Sequence, residues 1–193
     1  MKQVTVDLDK LSKDTRKMLA EEVDDAESLD CLAKDRDNDV RWFAAQNANI
    51  RAETLAKLAK DEQCMVRCAA AKNVNTTAEI LAKLAKDEKC TVRCAAAENV
   101  NTTAESLDCL AKDRDSNVRY AVAIHGNTTA ETLAKLAKDE ECMVRRAVAQ
   151  HNNTSAETLV KMMEDERIRE IYYIISLRLA RIIKELLGKK NVE

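Results

Sequence analysis

The sequence predicts an all-α protein: a right-handed α-solenoid of about five to six 26-residue two-helix repeats with N- and C-terminal capping helices. Three observations carry this. The chain aligns on itself with a period of 26, from Ala26 through Ala52, Ala78, Ala104 and Ala130 to Ala156. The units starting at Ala52 and Ala78 agree at 22 of 26 positions, and those starting at Ala26 and Ala104 share "AESLDCLAKDRD". Proline is absent and glycine occurs twice, so the strongest turn-formers are scarce, while Ala, Leu, Lys and Glu abound.

The elements follow in order. Residues 1–25 hold "LSKDTRKMLAEEV", read as a helical N-terminal cap. Residues 26–155 form five tandem units starting at 26, 52, 78, 104 and 130. The first helix of each runs through "TTAETLAKLAKD", where Leu81, Leu84 and Ala85 give an i, i+3, i+4 apolar stripe. Thr76 with Glu79 fits a capping box, repeated at Thr102 with Glu105, Thr128 with Glu131 and Thr154 with Glu157. The second helix runs through "CTVRCAAAEN", with Val92 and Ala96 on its core face and "NVNTT" as the polar return. One unit cannot bury its own apolar face, so the terminal units must differ. Residues 156–193 accordingly read as a degenerate sixth repeat that runs after Asp165 into one long capping helix, "RIREIYYIISLRLARIIKELL".

Composition narrows the function classes. A formal charge of −2 provides no general attraction for nucleic acid or an anionic membrane. The start, "MKQVTVDLDK", has no signal-peptide core, and no apolar run approaches the roughly 20 residues of a membrane span. The expected address is the cytoplasm, with the seven cysteines as free thiols in small half-buried sites.

The unit "LAKLAKDEECMVRRAVAQHNNTSAETL" resembles the leucine-rich repeat variant family, whose pattern is close to "L-x-x-L-A-x-D-x-x-x-x-V-R-x-x-V-A-x-N-x-x-T". It is also similar to HEAT repeats, which share an Asp followed six residues later by Arg. The resemblance covers about residues 26–165 and implies a solenoid of short helix pairs. The family is usually proline-rich at its turns, whereas Glu, Cys, Val or Thr stands there in this chain. Both a 3₁₀ turn, as the family suggests, and a full α-helix therefore stay open for the first helix. One branch of the family carries an N-terminal iron–sulfur cluster. Residues 1–30 contain no cysteine, so that cluster is not carried over.

Repeated constellations read as structure. Asp35, Asp61, Asp87, Asp113 and Asp139 each precede Arg41, Arg67, Arg93, Arg119 and Arg145 by six residues. A fivefold Asp–Arg column is expected to cap the second helix and bridge neighbouring units with the planar guanidinium. Cys64 with Cys68 and Cys90 with Cys94 share helix faces at i, i+4, and four such thiolates are the candidate metal ligands. Helices 8–10 Å apart hold the pairs rather far apart for one ion, so packing is the preferred reading and no cofactor is expected. His125 and His151 stand in the column of Asn47, Asn73 and Asn99 and are expected to bond local backbone in the turn. Asn75, Asn101, Asn127 and Asn153 match glycosylation sequons but read as turn residues. No Ser/His/Asp grouping, phosphate loop or His-x-x-x-His appears, so the expectation is a non-enzyme.

The columns that vary between repeats mark the expected partner face. It carries Asp39, Trp42, Phe43 and Gln46; Met65, Cys68, Ala69 and Lys72; Thr91, Cys94, Ala95 and Glu98. It continues through Asn117, Tyr120, Ala121 and Ile124 to Met143, Arg146, Ala147 and Gln150. Its aromatics, Met and Arg with cancelling charges suit a protein or peptide partner on a non-enzymatic scaffold. A rival role for Trp42 and Phe43 is to seal the N-terminal cap. A second functional reading is a DNA-binding, HEAT-like DNA glycosylase-type protein, with Trp42, Tyr120 and Asp39 as rough candidates. A third is self-assembly, as a homodimer or larger, through the C-terminal helix. That helix carries Ile171, Ile174, Ile175, Leu179, Ile182, Ile183 and Leu186 with Arg178, Arg181 and Lys184.

Overall fold

The computed structural model describes residues 8–190. Residues 1–7 of the expected N-terminal cap, residues 191–193 and the side chain of Leu186 lie outside the described residues. Thirteen α-helices and two 3₁₀ turns make up the described chain, with no strand among them. They group into two compact units, one ending at Thr102 and the other beginning at Thr103.

The first unit contains α1 (Lys13–Glu22), α2 (Ala26–Leu32), α3 (Asn38–Gln46), α4 (Ala52–Leu58), α5 (Cys64–Lys72), α6 (Ala78–Leu84) and α7 (Cys90–Glu98). The second contains α8 (Ala104–Leu110), α9 (Ser116–Ile124), α10 (Ala130–Leu136), α11 (Cys142–Gln150), α12 (Ala156–Met163) and α13 (Tyr172–Lys190). The first helices α4, α6, α8 and α10 are seven-residue α-helices, which resolves the choice against a lone 3₁₀ turn. Lys60 and Asp61 N–H groups then bond the Lys57 and Leu58 carbonyls, tightening the exit to 3₁₀ spacing in place of a proline turn.

The capping register differs from the expected one. Thr77, Thr103, Thr129 and Ser155 are the N-caps, accepting the N–H groups of Ile80, Ser106, Thr132 and Thr158. Thr76, Thr102, Thr128 and Thr154 stand one position earlier, fully buried or nearly so. Each donates its hydroxyl to the carbonyl six residues back, at Ala70, Ala96, Val122 and Val148. With the cap moved by one residue, Glu79 cannot close a capping box and pairs instead with Lys83 at i+4.

Within the first unit α3 packs on α1 and α5, and α5 on α7; within the second, α9 packs on α11. Leu55, Leu81, Val66 and Val92 are fully buried in the first, as are Leu107, Leu133, Val118 and Leu159 in the second. Two polar ladders hold successive repeats in register. In the first, Arg67 Nε and Nη2 grip both carboxylate oxygens of Asp87, one repeat on, at 2.6 and 3.0 Å. Its Nη1 bonds the Asp61 and Glu62 carbonyls of its own repeat at 2.8 and 3.1 Å. Arg16–Asp35, Arg41–Asp61 and Arg119–Asp139 make the same fork. Asp61 is not the N-cap of α5 as expected: its Oδ1 accepts the Gln63 N–H and shapes the turn before the helix. Burial opposes ionisation of Asp61, Asp87 and Asp139, yet the Arg fork and that N–H hold each carboxyl below the ordinary carboxylate range.

The second ladder runs through the connecting turns. Asn73 Nδ2 donates to the Ala45 and Asn47 carbonyls of the preceding repeat, and Asn99 Nδ2 to those of Ala71 and Asn73. Asn75 and Asn101 do likewise, reaching the Ala48 and Ile50 and the Val74 and Thr76 carbonyls. His151 fits the same column: Nδ1 accepts the Asn153 N–H, and Nε2 lies 3.0 Å from the His125 carbonyl.

Substitutes close both ladders in α1 and the asparagine ladder in α13. In α1, Arg16 supplies the first fork, and its C-terminal carbonyls receive Asn47 Nδ2. In α13, Arg178 replaces the missing next asparagine by donating to the His151 and Asn152 carbonyls at 2.7 and 3.4 Å. The expected single C-terminal helix is two segments, because Asp165 first caps a 3₁₀ turn, Glu166–Ile171. Ile168, Ile171 and Ile175 are buried, Ile174, Leu179 and Ile182 half-buried, while Ile183 is exposed. Tyr172, Tyr173 and Leu177 are exposed as well, giving α13 a second, outward apolar face.

Candidate functional site

The expected partner face is borne by the second helix of each repeat, since the frame columns Val66, Val92, Val118 and Val144 point into the cores. Ala69, Ala95, Ala121 and Ala147, placed on that face from the sequence, are buried. Successive second helices stack there with a small side chain between them in the four repeats after the first. The face is therefore narrower than expected.

In the first unit the part of this face next to α1 is committed to internal contacts. Asp39 meets Lys13 of α1 at 2.7 Å, and Asp37 meets the same ammonium at 2.9 Å. Hydrogen bonds to Asp39 and Asp37 push the Lys13 pKa up. Trp42 and Phe43 are half-buried and stack edge to face, centroids 4.8 Å apart. Lys17 of α1 lies 5.4 Å from the Phe43 centroid, so Phe43 does seal the N-terminal cap. Gln46, Thr91 and Met65 are exposed, Met65 at 58%. Lys72 and Glu98 face each other at 3.7 Å across neighbouring repeats, a surface pair worth little.

The second unit is different. Tyr120, Ile124 and Met143 are exposed at 37%, 52% and 54%. Asn117, Arg146 and Gln150 are exposed beside them. Two cavities open between α9 and α11 on this side. One of about 280 Å³ is lined by Ser116, Tyr120, Glu141 and Met143. Another of about 380 Å³ is lined by Ile124, Gly126, Ala147 and Gln150.

Cys64, Cys68, Cys90 and Cys94 are half-buried as expected, but Cys31, Cys109 and Cys142 are exposed, because they stand on the solvent side of their helices. Cys64 and Cys68 are half-buried against the core of the first unit, and Cys68 Sγ reaches the Thr91 carbonyl at 3.8 Å. Burial pushes the Cys68 thiol up, which favours the protonated form over a metal-binding thiolate. Cys94 Sγ contacts Glu98 Oε1 at 3.6 Å. Among the described residues no three His, Cys, Asp or Glu side chains group to hold a metal ion.

Sequence reasoning missed the inter-repeat role of the asparagines. Their constancy at Asn73, Asn75, Asn99 and Asn101 was the available signal, but a turn asparagine bonded to its own backbone has the same sequence signature. No helix among the described residues is long and apolar enough to cross a membrane.

Comparison with known proteins agrees with this architecture. No protein-family model and no curated protein sequence matches the chain. Among solved structures, a leucine-rich repeat variant described as having a novel repetitive structural motif is similar, with TM-score 0.69 and 27% identity over 88% of this chain and 67% of that one. YibA of E. coli is similar in fold, with TM-score 0.55 and 19% identity over 93% of this chain and 80% of its own. The chain is an all-helical tandem-repeat α-solenoid similar to the leucine-rich repeat variant.

Proposed function

We propose that the protein is a non-enzymatic scaffold that binds a protein or peptide on the exposed columns of its second helices. The observation that carries this reading is the cluster of Tyr120, Ile124 and Met143, large apolar side chains left in solvent beside two cavities while every frame column is buried. All seven cysteines are free thiols, in keeping with the cytoplasm as the place of action. A nucleic-acid role would call for a row of unpaired Lys and Arg. The face instead pairs Asp39 with Lys13 and Lys72 with Glu98. The test is site-specific photocrosslinking in the native host, with the probe at Met143 and, as control, at the exposed Lys60. Discrete adducts at Met143 alone are expected. Equal labelling from both positions would overturn the reading.

A second reading, self-association through α13, is favoured by the exposure of Tyr172, Tyr173, Leu177 and Ile183. Light scattering of the full chain should show a dimer or larger, and Leu177→Lys should return it to monomer. A wild-type chain monomeric at tens of micromolar would dismiss this.

A further inference from the structure

Resting on the scaffold reading, we infer that the α9–α11 groove takes about two helical turns of an acidic amphipathic partner segment, with a carboxylate on Arg146 between two apolar anchors. Charge is the first ground. Arg146 is exposed and makes no ion pair or hydrogen bond among the described residues, whereas Asp39, Lys72 and Glu98 on the face of the first unit are all paired within the chain. A lone guanidinium beside apolar side chains selects a carboxylate. Glu141 at the rim of the Tyr120 cavity repels an acid at that end and so leaves the Arg146 position as its seat.

Spacing is the second ground. Met143 lines one cavity and Gln150 the other, about 10 Å apart along α11, and Arg146, which lines neither, stands between them on the same helix face. In a helical partner, residues i, i+3 or i+4, and i+7 span about that length and share one face. An extended strand covers it in about three residues and would turn its two anchors to opposite sides.

Gly126 is the third. It occupies the column of Val74 and Val100, which are exposed in the first unit at 63% and 70%. No atom lies within 4 Å of a Cβ built there. Gly126 lines the 380 Å³ cavity, and a valine there would project into it with no atom to meet its Cβ.

The test is selection of a phage-displayed library of single-helix peptides, randomised on one face, against the full chain and its variants, each checked by thermal melt. Wild type should enrich apolar residues at i and i+7 with Asp or Glu at i+3 or i+4. Arg146→Glu should weaken those peptides at least about tenfold and re-select for Lys or Arg at the middle position. Gly126→Val should relax the requirement for a large apolar residue at i+7. If enriched peptides are released by Tyr120→Ala with Met143→Ala but show no acidic preference, or none that Arg146→Glu changes, this inference falls and the scaffold reading stands. If no enriched peptide is released by that double variant, both fall.

Discussion

Arg67 in the first unit and Arg145 in the second occupy the same column three repeats apart, yet only one completes its fork. Arg67 closes on Asp87, with both side chains about one-tenth exposed. Arg145 is just as buried, keeps its bonds to the Asp139 and Glu140 carbonyls and turns Nη2 to the Arg167 carbonyl, but its Nε has no partner. The carboxylate one repeat on, Asp165, is taken by Arg167 two residues away, whose hydrogen bonds hold the Asp165 carboxyl down at about 2. The difference shows what a rung needs. A fork between repeats survives only where no nearer cation competes for the aspartate, and the C-terminal end, where the repeat decays, supplies one.

That comparison orders the expected effects. Arg67→Ala leaves a largely buried Asp87 carboxylate unpaired and should cost about 3–5 kcal/mol in urea unfolding. Arg145→Ala loses three bonds to carbonyls but leaves no buried carboxylate unpaired, and should cost about 1–2 kcal/mol. Equal losses would break the distinction between a closed and an open rung.

Acid should act on the same rungs. Asp61, Asp87 and Asp139 have folded pKa values below those of the unfolded chain. Their contribution is therefore complete above about pH 4 and is lost as pH falls through the folded values. The urea midpoint should be flat from about pH 7 to 5 and drop as the pH falls below about 4. A midpoint that rises on acidification would contradict the sign.

Caps should matter less. Thr77→Ala should cost about 1 kcal/mol, and Glu79→Ala distinctly less, since Glu79 makes only an exposed pair with Lys83. Smallest of all is Arg167→Ala, which frees Asp165 to turn to Arg145. Thermal melting should stay level or rise by a degree or two, and a clear fall would show that Arg167 supports the end cap.

The 26-residue period made the helix pairs legible, because Leu81, Leu84 and Val92 recur with helical spacing in unit after unit. The Asp–Arg column was legible as structure for the same reason. The cap register was not, since Thr76 and Thr77 are chemically alike and only burial separates a hydroxyl bonded to the Ala70 carbonyl from one that caps α6. The candidate face was legible by its variation, but not its width: Ala95 reads as a neutral surface residue until α5 and α7 are stacked against each other. Nor could sequence show that Phe43 spends its ring against α1 while Tyr120 keeps its own in solvent.

The division between a frame that holds the repeats and a face left for a partner is tested most directly by the urea midpoint of the double variant Tyr120→Ala, Met143→Ala. Its stability should lie within about 1 kcal/mol of wild type. A loss of more than about 3 kcal/mol would contradict the division, because it would place these side chains in the packing of α9 on α11 rather than on a surface kept free.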